Sequence, residues 1–477
     1  MKSGADVLIV STNRNDLPLP VMPYGACMVA EATEREGHHV RLLDLMFEKE
    51  PLRAVEKEMS ATKPAVVGLS VRNIDNNDMQ NPVFYPAELK SIMERIRMVS
   101  VAPVVLGGAA MSVMPEALLR FTGADYAVHG AGEVVFPKLV RSIIEGGAAD
   151  DLPGVLRVDK YVIRKNECSS DGLTDCCRVP DFRRWINAGP YLSRLSSVPV
   201  QTKVGCHFQC VYCTYRRAEG GGYRLSSPES VVQAVSALSK AGFQDIEFVD
   251  NVFNSPYDHA AAICEGLAGM KGHARLQSLE LNPFFIDDAL LDSMEKAGFR
   301  GIGVTVESAS DKVLNGLGKG FNSRHVQMAS EVIARHRIPC MWIFMVGGPG
   351  ETDETVRETL RFAENSICPG DVAFFNIGVR IYPGTALEAR ARQEGILSLS
   401  AEDMLKPVFY LSPGLDFRWM IEEVRRFMGV HMNVMNSDSL GLSFLPFIQR
   451  LACSVGVKAP LWRRTRTIRG MLRLLRL

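Results

Sequence analysis

The chain has 477 residues, 47% of them hydrophobic, and its 54 Lys plus Arg balance 54 Asp plus Glu. That length exceeds one ordinary core and predicts two or three domains with the composition of a soluble globular protein. Zero formal net charge excludes a general appetite for polyanions, so nucleic acid is not an expected partner.

No run reaches the 18 apolar residues of a spanning helix. The opening MKSGADVLIVST is too short in apolar length for a secretory leader and reads as a strand. Eleven cysteines form no regular framework. Together these predict a cytoplasmic protein whose thiols stay free to bind metal.

Residues 1–150 alternate short apolar runs with helical patterns, predicting a parallel sheet covered by helices. Strands are expected at 7–11, 40–44, 65–71, 104–106 and 126–129, with helices such as 25–36 and 86–98 between them. Ser70, Gly107, Gly108, Gly130 and Gly132 then fall at strand C-terminal ends, where open α/β sheets bind ligands. Taken one at a time, each glycine is better explained as a tight turn.

Residues 151–190, with Cys168, Cys176 and Cys177 among Ser, Asp and Gly, read as a connector. A second α/β series occupies 191–395, with strands at 200–204, 246–249, 278–282, 301–307, 340–346 and 374–380. Helices at 228–241, 287–297 and 323–336 separate some of them. Six strand–helix units in that length suit a partial barrel better than an eight-fold one. The pattern from 396 to 477 is mostly helical, without repeats or low-complexity tracts.

Between the first two strands of this series stands QTKVGCHFQCVYCTYRRAEG. Cys206, Cys210 and Cys213 are spaced C-x3-C-x2-C after an apolar strand and before a helix. Thiolates are soft ligands suited to iron–sulfur clusters, and this spacing lets one loop wrap a single cluster. Three ligands to a 4Fe–4S cluster leave one iron open to a small molecule. A zinc site with His207 as fourth ligand is the alternative, although no second cysteine pair follows and His207 adjoins Cys206.

GCHFQCVYC resembles the signature of the radical S-adenosylmethionine (SAM) superfamily. The resemblance implies a (β/α)6 partial barrel and SAM chelating the open iron, with Tyr212 near the adenine. It also implies SAM contacts at later strand ends: Asp250 and Asn251, Glu307 and Ser308, Gly347 and Gly348, and Arg380. The second strand end departs from the family's usual Gly-Gly-Glu form.

VLIVST, EREGHHVRLLDL, VVGLSVRNIDN, PVVLGGAAMSVMPEALL and DYAVHGAGEVVFPKLV resemble a Rossmann-like cobalamin-binding domain, which precedes the barrel in one large subgroup. That implies cobalamin contacts at Ser70, Arg72, Asn73, Gly107, Gly108, Gly130 and Glu133. The D-x-H-x-x-G motif that supplies a histidine to cobalt is missing, since NRNDLPLP follows the first strand. Many relatives share this absence. A degenerate domain that only scaffolds is the alternative.

The expected activity is radical methylation of an unactivated carbon by a 5′-deoxyadenosyl radical and methylcobalamin, with an external electron donor. A non-methylating radical reaction (cyclisation, oxidation or C–C bond formation) and a non-enzymatic metal-binding scaffold are the alternatives. The tail PLWRRTRTIRGMLRLLRL is basic and amphipathic as a helix, predicting peripheral contact with the inner membrane face and admitting a lipid-like as well as a small-molecule substrate.

Overall fold

The computed structural model describes residues 6–147, 149, 152–159, 162–165, 177–270, 274–437 and 444–474. Cys168 and Cys176 lie outside the described residues.

The N-terminal sheet is built from β1 (Val7–Ser11), β2 (Val40–Asp44), β3 (Val66–Ser70), β4 (Val104–Gly107) and β5 (Tyr126–Val128). Their spatial order is β2-β1-β3-β4-β5, all parallel. Strands such as VLIVS are buried along their whole length because helices cover both faces. The order reverses between β1 and β3, which opens a crevice at their C-terminal ends. Ser11 pairs with Ser70 there, and the Thr12 hydroxyl donates to the Ser70 carbonyl at 2.9 Å.

Two antiparallel strands, β6 (Val155–Asp159) and β7 (Val162–Lys165), extend this sheet beyond β5. The expected connector therefore contributes a hairpin. Its strands are only five and four residues long, too short to give a clear alternation.

The second sheet is wholly parallel. It comprises β8 (Val198–Val200), β9 (Asp245–Phe248), β10 (Arg275–Leu281), β11 (Phe299–Glu307), β12 (Cys340–Val346), β13 (Val372–Ile377) and β14 (Val434–Asn436). The strands lie in chain order from β8 at one edge to β14 at the other, so the barrel stays open. Six of these positions were expected, and β14 is a seventh supplied by the C-terminal region. The first strand also ends earlier than expected, at Val200. Lys203–Val204 instead pairs antiparallel with Arg224–Leu225 across the cysteine loop.

Helix starts in the barrel are set by side-chain caps. Ser227 accepts from the Ser230 amide ahead of Pro228, Asp287 accepts from Leu290, and Asn322 and Thr352 each form reciprocal capping boxes. These caps fix where each strand stops and hence where its last side chain points.

The two halves share core. Met22, Cys27 and Met46 belong to the barrel's buried cluster, and Val313, Leu317, Met345, Val379 and Ile381 belong to that of the N-terminal sheet. Polar ties cross the same boundary: Tyr191 donates to Asp44 at 2.6 Å, and Arg194 to Asp16 at 2.7 Å.

The C-terminal tail is docked. Leu461 and Ile468 join a small cluster with Leu195 and Ala459, and Arg469 donates to the carbonyls of Met428, His431 and Val434. Leu461 and Ile468 of the amphipathic face thus pack within the protein, while Met471 is 52% exposed. No helix among the described residues is long and apolar enough to cross a membrane.

Candidate active site

The cysteine loop leaves the sheet at Gly205, whose φ is +97° and whose added Cβ would lie 2.0 Å from the Gly222 carbonyl oxygen. Only glycine fits that approach. Cys206 is anchored by its amide donating to Gly220, and Cys213 by its amide donating to Cys210. The loop is clamped further by Val211 donating to Leu317 and by Leu387 donating to Val211.

Burial pushes the Cys213 thiol up to about 12, and Cys210 and Cys206 push it further in the same direction. Thiols held up in this way are released as thiolates by a cationic metal that binds them and displaces their protons. Among the described residues no three His, Cys, Asp or Glu side chains gather to hold a single ion. The His207 ring instead packs on Phe208 and Tyr223. The donor set fits an iron–sulfur cluster.

Behind the triad, the Tyr212 hydroxyl donates to Glu307 at 2.8 Å, and Lys319 Nζ reaches Glu307 at 3.2 Å and the Tyr212 oxygen at 3.3 Å. Glu307 holds φ at +63°, a left-handed conformation costly for glutamate and maintained by its surroundings. Burial alone would lower the Lys319 pKa, but Glu307, Cys210 and Glu280 outweigh it and the group stays charged. Asn251 donates to Glu219 at 2.8 Å, and Glu219 also accepts from the Gly205 amide at 3.0 Å. Burial raises the Glu219 pKa.

The helix Tyr215–Glu219, which follows the triad, packs against the short helix Ala109–Val113 at the strand ends of the N-terminal sheet. Tyr215 on it is 50% exposed, and desolvation of its hydroxyl raises the pKa, with Glu280, Glu219 and Cys213 acting in the same direction and Arg72 against it. Glu280, at the end of β10, is pushed up to about 8 by burial and by Glu307. Burial raises Glu247 on β9, partly offset by Gln277, which donates to it at 2.9 Å. Burial lowers the pKa of Arg72, from the segment after β3, and Tyr215 and Glu247 oppose that shift.

The strand ends of the N-terminal sheet supply an open cradle. A Cβ at Gly107 would meet nothing within 4 Å. Gly108, at φ +97°, lies so close to Val71 that a Cβ would sit 2.5 Å from its carbonyl oxygen. Gly130, at φ +90°, donates to Ser112, and Glu133 occupies the first turn of the helix Gly132–Ile144. Asn13 Nδ2, after β1, is buried without a partner. Ser70, Arg72 and Asn73 line the β3 side of the same crevice. The cradle fits a large polar ligand lying over the strand ends.

Several expected SAM contacts also have partners within the fold. Asp250 is fully buried and accepts from the Thr202 amide at 2.7 Å, the Thr202 hydroxyl at 2.6 Å and the Lys203 amide at 3.3 Å. Its oxygens tie β9 to the chain leading into the cysteine loop. Ser308 is buried and shares a hydrogen bond with Thr359. Gly347 and Gly348 pack against Leu411 and Leu317, without an open space above them. Arg380 pairs with Asp75 of the N-terminal half at 2.8 Å and donates to the carbonyls of Ile381 and Met404.

Lys319, Glu280, Glu247 and Asp75 were not anticipated. The glycines around Lys319 in LGKG gave a signal, with Gly318 and Gly320 both at positive φ. The others read as ordinary charges in strands and loops.

A cysteine triad on an open parallel barrel, packed against a parallel sheet of order β2-β1-β3-β4-β5, defines an enzyme that joins two cofactor domains. The Radical SAM superfamily model matches residues 200–363, and the B12 binding domain model matches residues 11–140. The chain belongs to the radical SAM superfamily, in the group carrying a cobalamin-binding domain ahead of the barrel.

It is 25% identical over 447 residues to tryptophan 2-C-methyltransferase of Streptomyces laurentii, covering 80% of this chain and 74% of that one. An uncharacterised methyltransferase of Pyrococcus horikoshii is 27% identical over 376 residues, covering 76% and 77%. Among solved structures, TsrM of Kitasatospora setae, a radical SAM methyltransferase with cobalamin and a [4Fe-4S] cluster bound, superposes with a TM-score of 0.86. It is 23% identical, and the match covers 99% of both chains. The cobalamin-dependent enzyme OxsB gives a TM-score of 0.69 at 15% identity, covering 89% of this chain and 67% of that one.

Proposed function

We propose that this chain is a cobalamin-dependent radical SAM methyltransferase acting on carbon in a polar small molecule. The observation that carries the proposal is the packing of the helix Tyr215–Glu219, directly after the triad, against the helix Ala109–Val113 at the strand ends of the N-terminal sheet. On this reading both cofactor sites open on one chamber between the two halves.

Cys206, Cys210 and Cys213 would hold the cluster, on a loop fixed by the Cys206–Gly220 and Cys213–Cys210 backbone bonds. Tyr212, Glu307, Lys319 and Asn251 frame the SAM side. Ser70, Arg72, Asn73, Gly107, Gly108, Gly130 and Glu133 form the cobalamin side. Bound together, these groups supply one-electron chemistry and a transferable methyl, which side-chain acids and bases cannot provide at an unactivated carbon.

The chain's own contribution is orientation and exclusion of water. Asp250 pins the start of the cysteine loop, Arg380–Asp75 fixes one half against the other, and burial isolates Lys319–Glu307. Arg72, Glu247, Glu280 and Gln277 make the chamber polar, which favours a hydrogen-bonding small molecule over a lipid chain. An external reductant provides the electron. The named activity of the Streptomyces laurentii relative supports methyl transfer to carbon.

The test needs no substrate: protein reconstituted with iron, sulfide and hydroxocobalamin is reduced and incubated with methyl-labelled SAM. Label recovered on protein-bound corrinoid supports the proposal. Corrinoid that stays unlabelled while SAM is consumed overturns methyl transfer.

A further inference from the structure

The helix Leu445–Ser454 has two unlike faces. Ala452 and Cys453 pack toward Leu195, Ala459 and Leu461, and Gln449 is buried against Arg194 and the Pro18 carbonyl. Away from that contact, Phe447, Leu451 and Val455 follow one another at intervals of four and stand 61%, 53% and 71% exposed. An apolar stripe left in water at helical spacing marks a contact surface.

The sequence around it is cationic. From residue 439 to residue 477 the sequence carries eight Lys or Arg and no Asp or Glu. Arg450 adjoins Leu451 in the stripe, and Lys458 follows it. Arg300, Arg463, Arg464 and Arg466 enter no ion pair among the described residues. Burial lowers the Arg463 pKa, and so do Arg464 and Arg300, cations held close enough to repel it. Crowded arginines without carboxylates carry a cost that an anionic surface removes.

A second copy of this chain does not fit, because a two-fold contact would set this cationic patch against itself. An anionic bilayer fits both features: apolar side chains enter the acyl boundary while arginines meet phosphates. We infer that the exposed face of the helix Leu445–Ser454, with the arginines that follow it, docks the protein peripherally on an anionic lipid bilayer. The docking is independent of the methyl-transfer chemistry, and its apolar part is the helix before the tail, since Leu461 and Ile468 of the tail pack within the protein.

The test is co-sedimentation of the full-length protein with phosphatidylcholine vesicles, with and without phosphatidylglycerol. Binding is expected only with phosphatidylglycerol, weakening as salt rises. R463Q/R464Q should weaken it roughly 25-fold, at about fivefold per arginine. F447S/L451S/V455S should weaken it by at least ~10-fold. Both variants alter exposed positions, so each checks the other against misfolding. Equal binding to neutral vesicles, no binding to either, or binding indifferent to both variants would overturn the inference. So would a change of the triple serine variant from dimer to monomer in light scattering.

Discussion

Arg380→Met removes the guanidinium that joins the two halves of the molecule. Its partner Asp75 has a fully buried side chain, and Arg380 itself is 3% exposed, so water cannot replace the lost charge. Breaking a buried pair from one side leaves an uncompensated charge and costs about 3–5 kcal/mol. The lost hydrogen bonds to Ile381 and Met404 fall within that figure. Removing both charges costs less, and R380M/D75L should recover at least about half of the loss. The assay is urea unfolding followed by tryptophan fluorescence, read on the first transition because a chain of two domains need not unfold in one step. A loss under about 1 kcal/mol in R380M, or a double variant no better than the single, would refute a load-carrying pair at the domain boundary.

Other perturbations test the site itself. Gly205→Ala should abolish cluster assembly by forcing a Cβ onto the Gly222 carbonyl, with iron content falling toward zero while the corrinoid is retained. Cys213→Ala should lose the cluster and the iron–sulfur absorption without loss of fold, as judged by circular dichroism. Lys319→Met should leave Glu307 buried beside Tyr212 without its cation and raise the dissociation constant for SAM, measured by equilibrium dialysis. Glu280 has a folded pKa of about 8, above its unfolded value, so the stability it permits is complete at acid pH and declines as pH rises through 8. Apo E280Q should therefore match the parent at pH 5 and exceed it in thermal midpoint above pH 8, and equal midpoints there would contradict the reading.

The parallel strands were legible because they are buried on both faces and read as unbroken apolar runs, as in VLIVS or CMWIFMV. The cysteine spacing was equally plain, since coordination chemistry fixes ligand type. β14 escaped because three residues after a long helix carry no periodicity, and only pairing with β13 makes them a strand. Asp250 and Arg380 stand at strand ends as expected, but sequence does not say whether a polar side chain turns toward a ligand or toward its own fold. Thr202 and Lys203 claim the first, and Asp75, 305 positions away in sequence, claims the second. The tail shows the same limit: its amphipathic pattern was real, but Leu461 and Ile468 found their apolar partner within the protein.

The central claim is that one chain holds a cluster and a corrinoid at the same chamber. Anaerobic reconstitution with iron, sulfide and hydroxocobalamin, followed by desalting, metal analysis and an absorption spectrum, tests it most directly. The account predicts about four irons and about one cobalt per chain, with corrinoid bands superimposed on a broad iron–sulfur shoulder. Iron retained with no cobalt would contradict it.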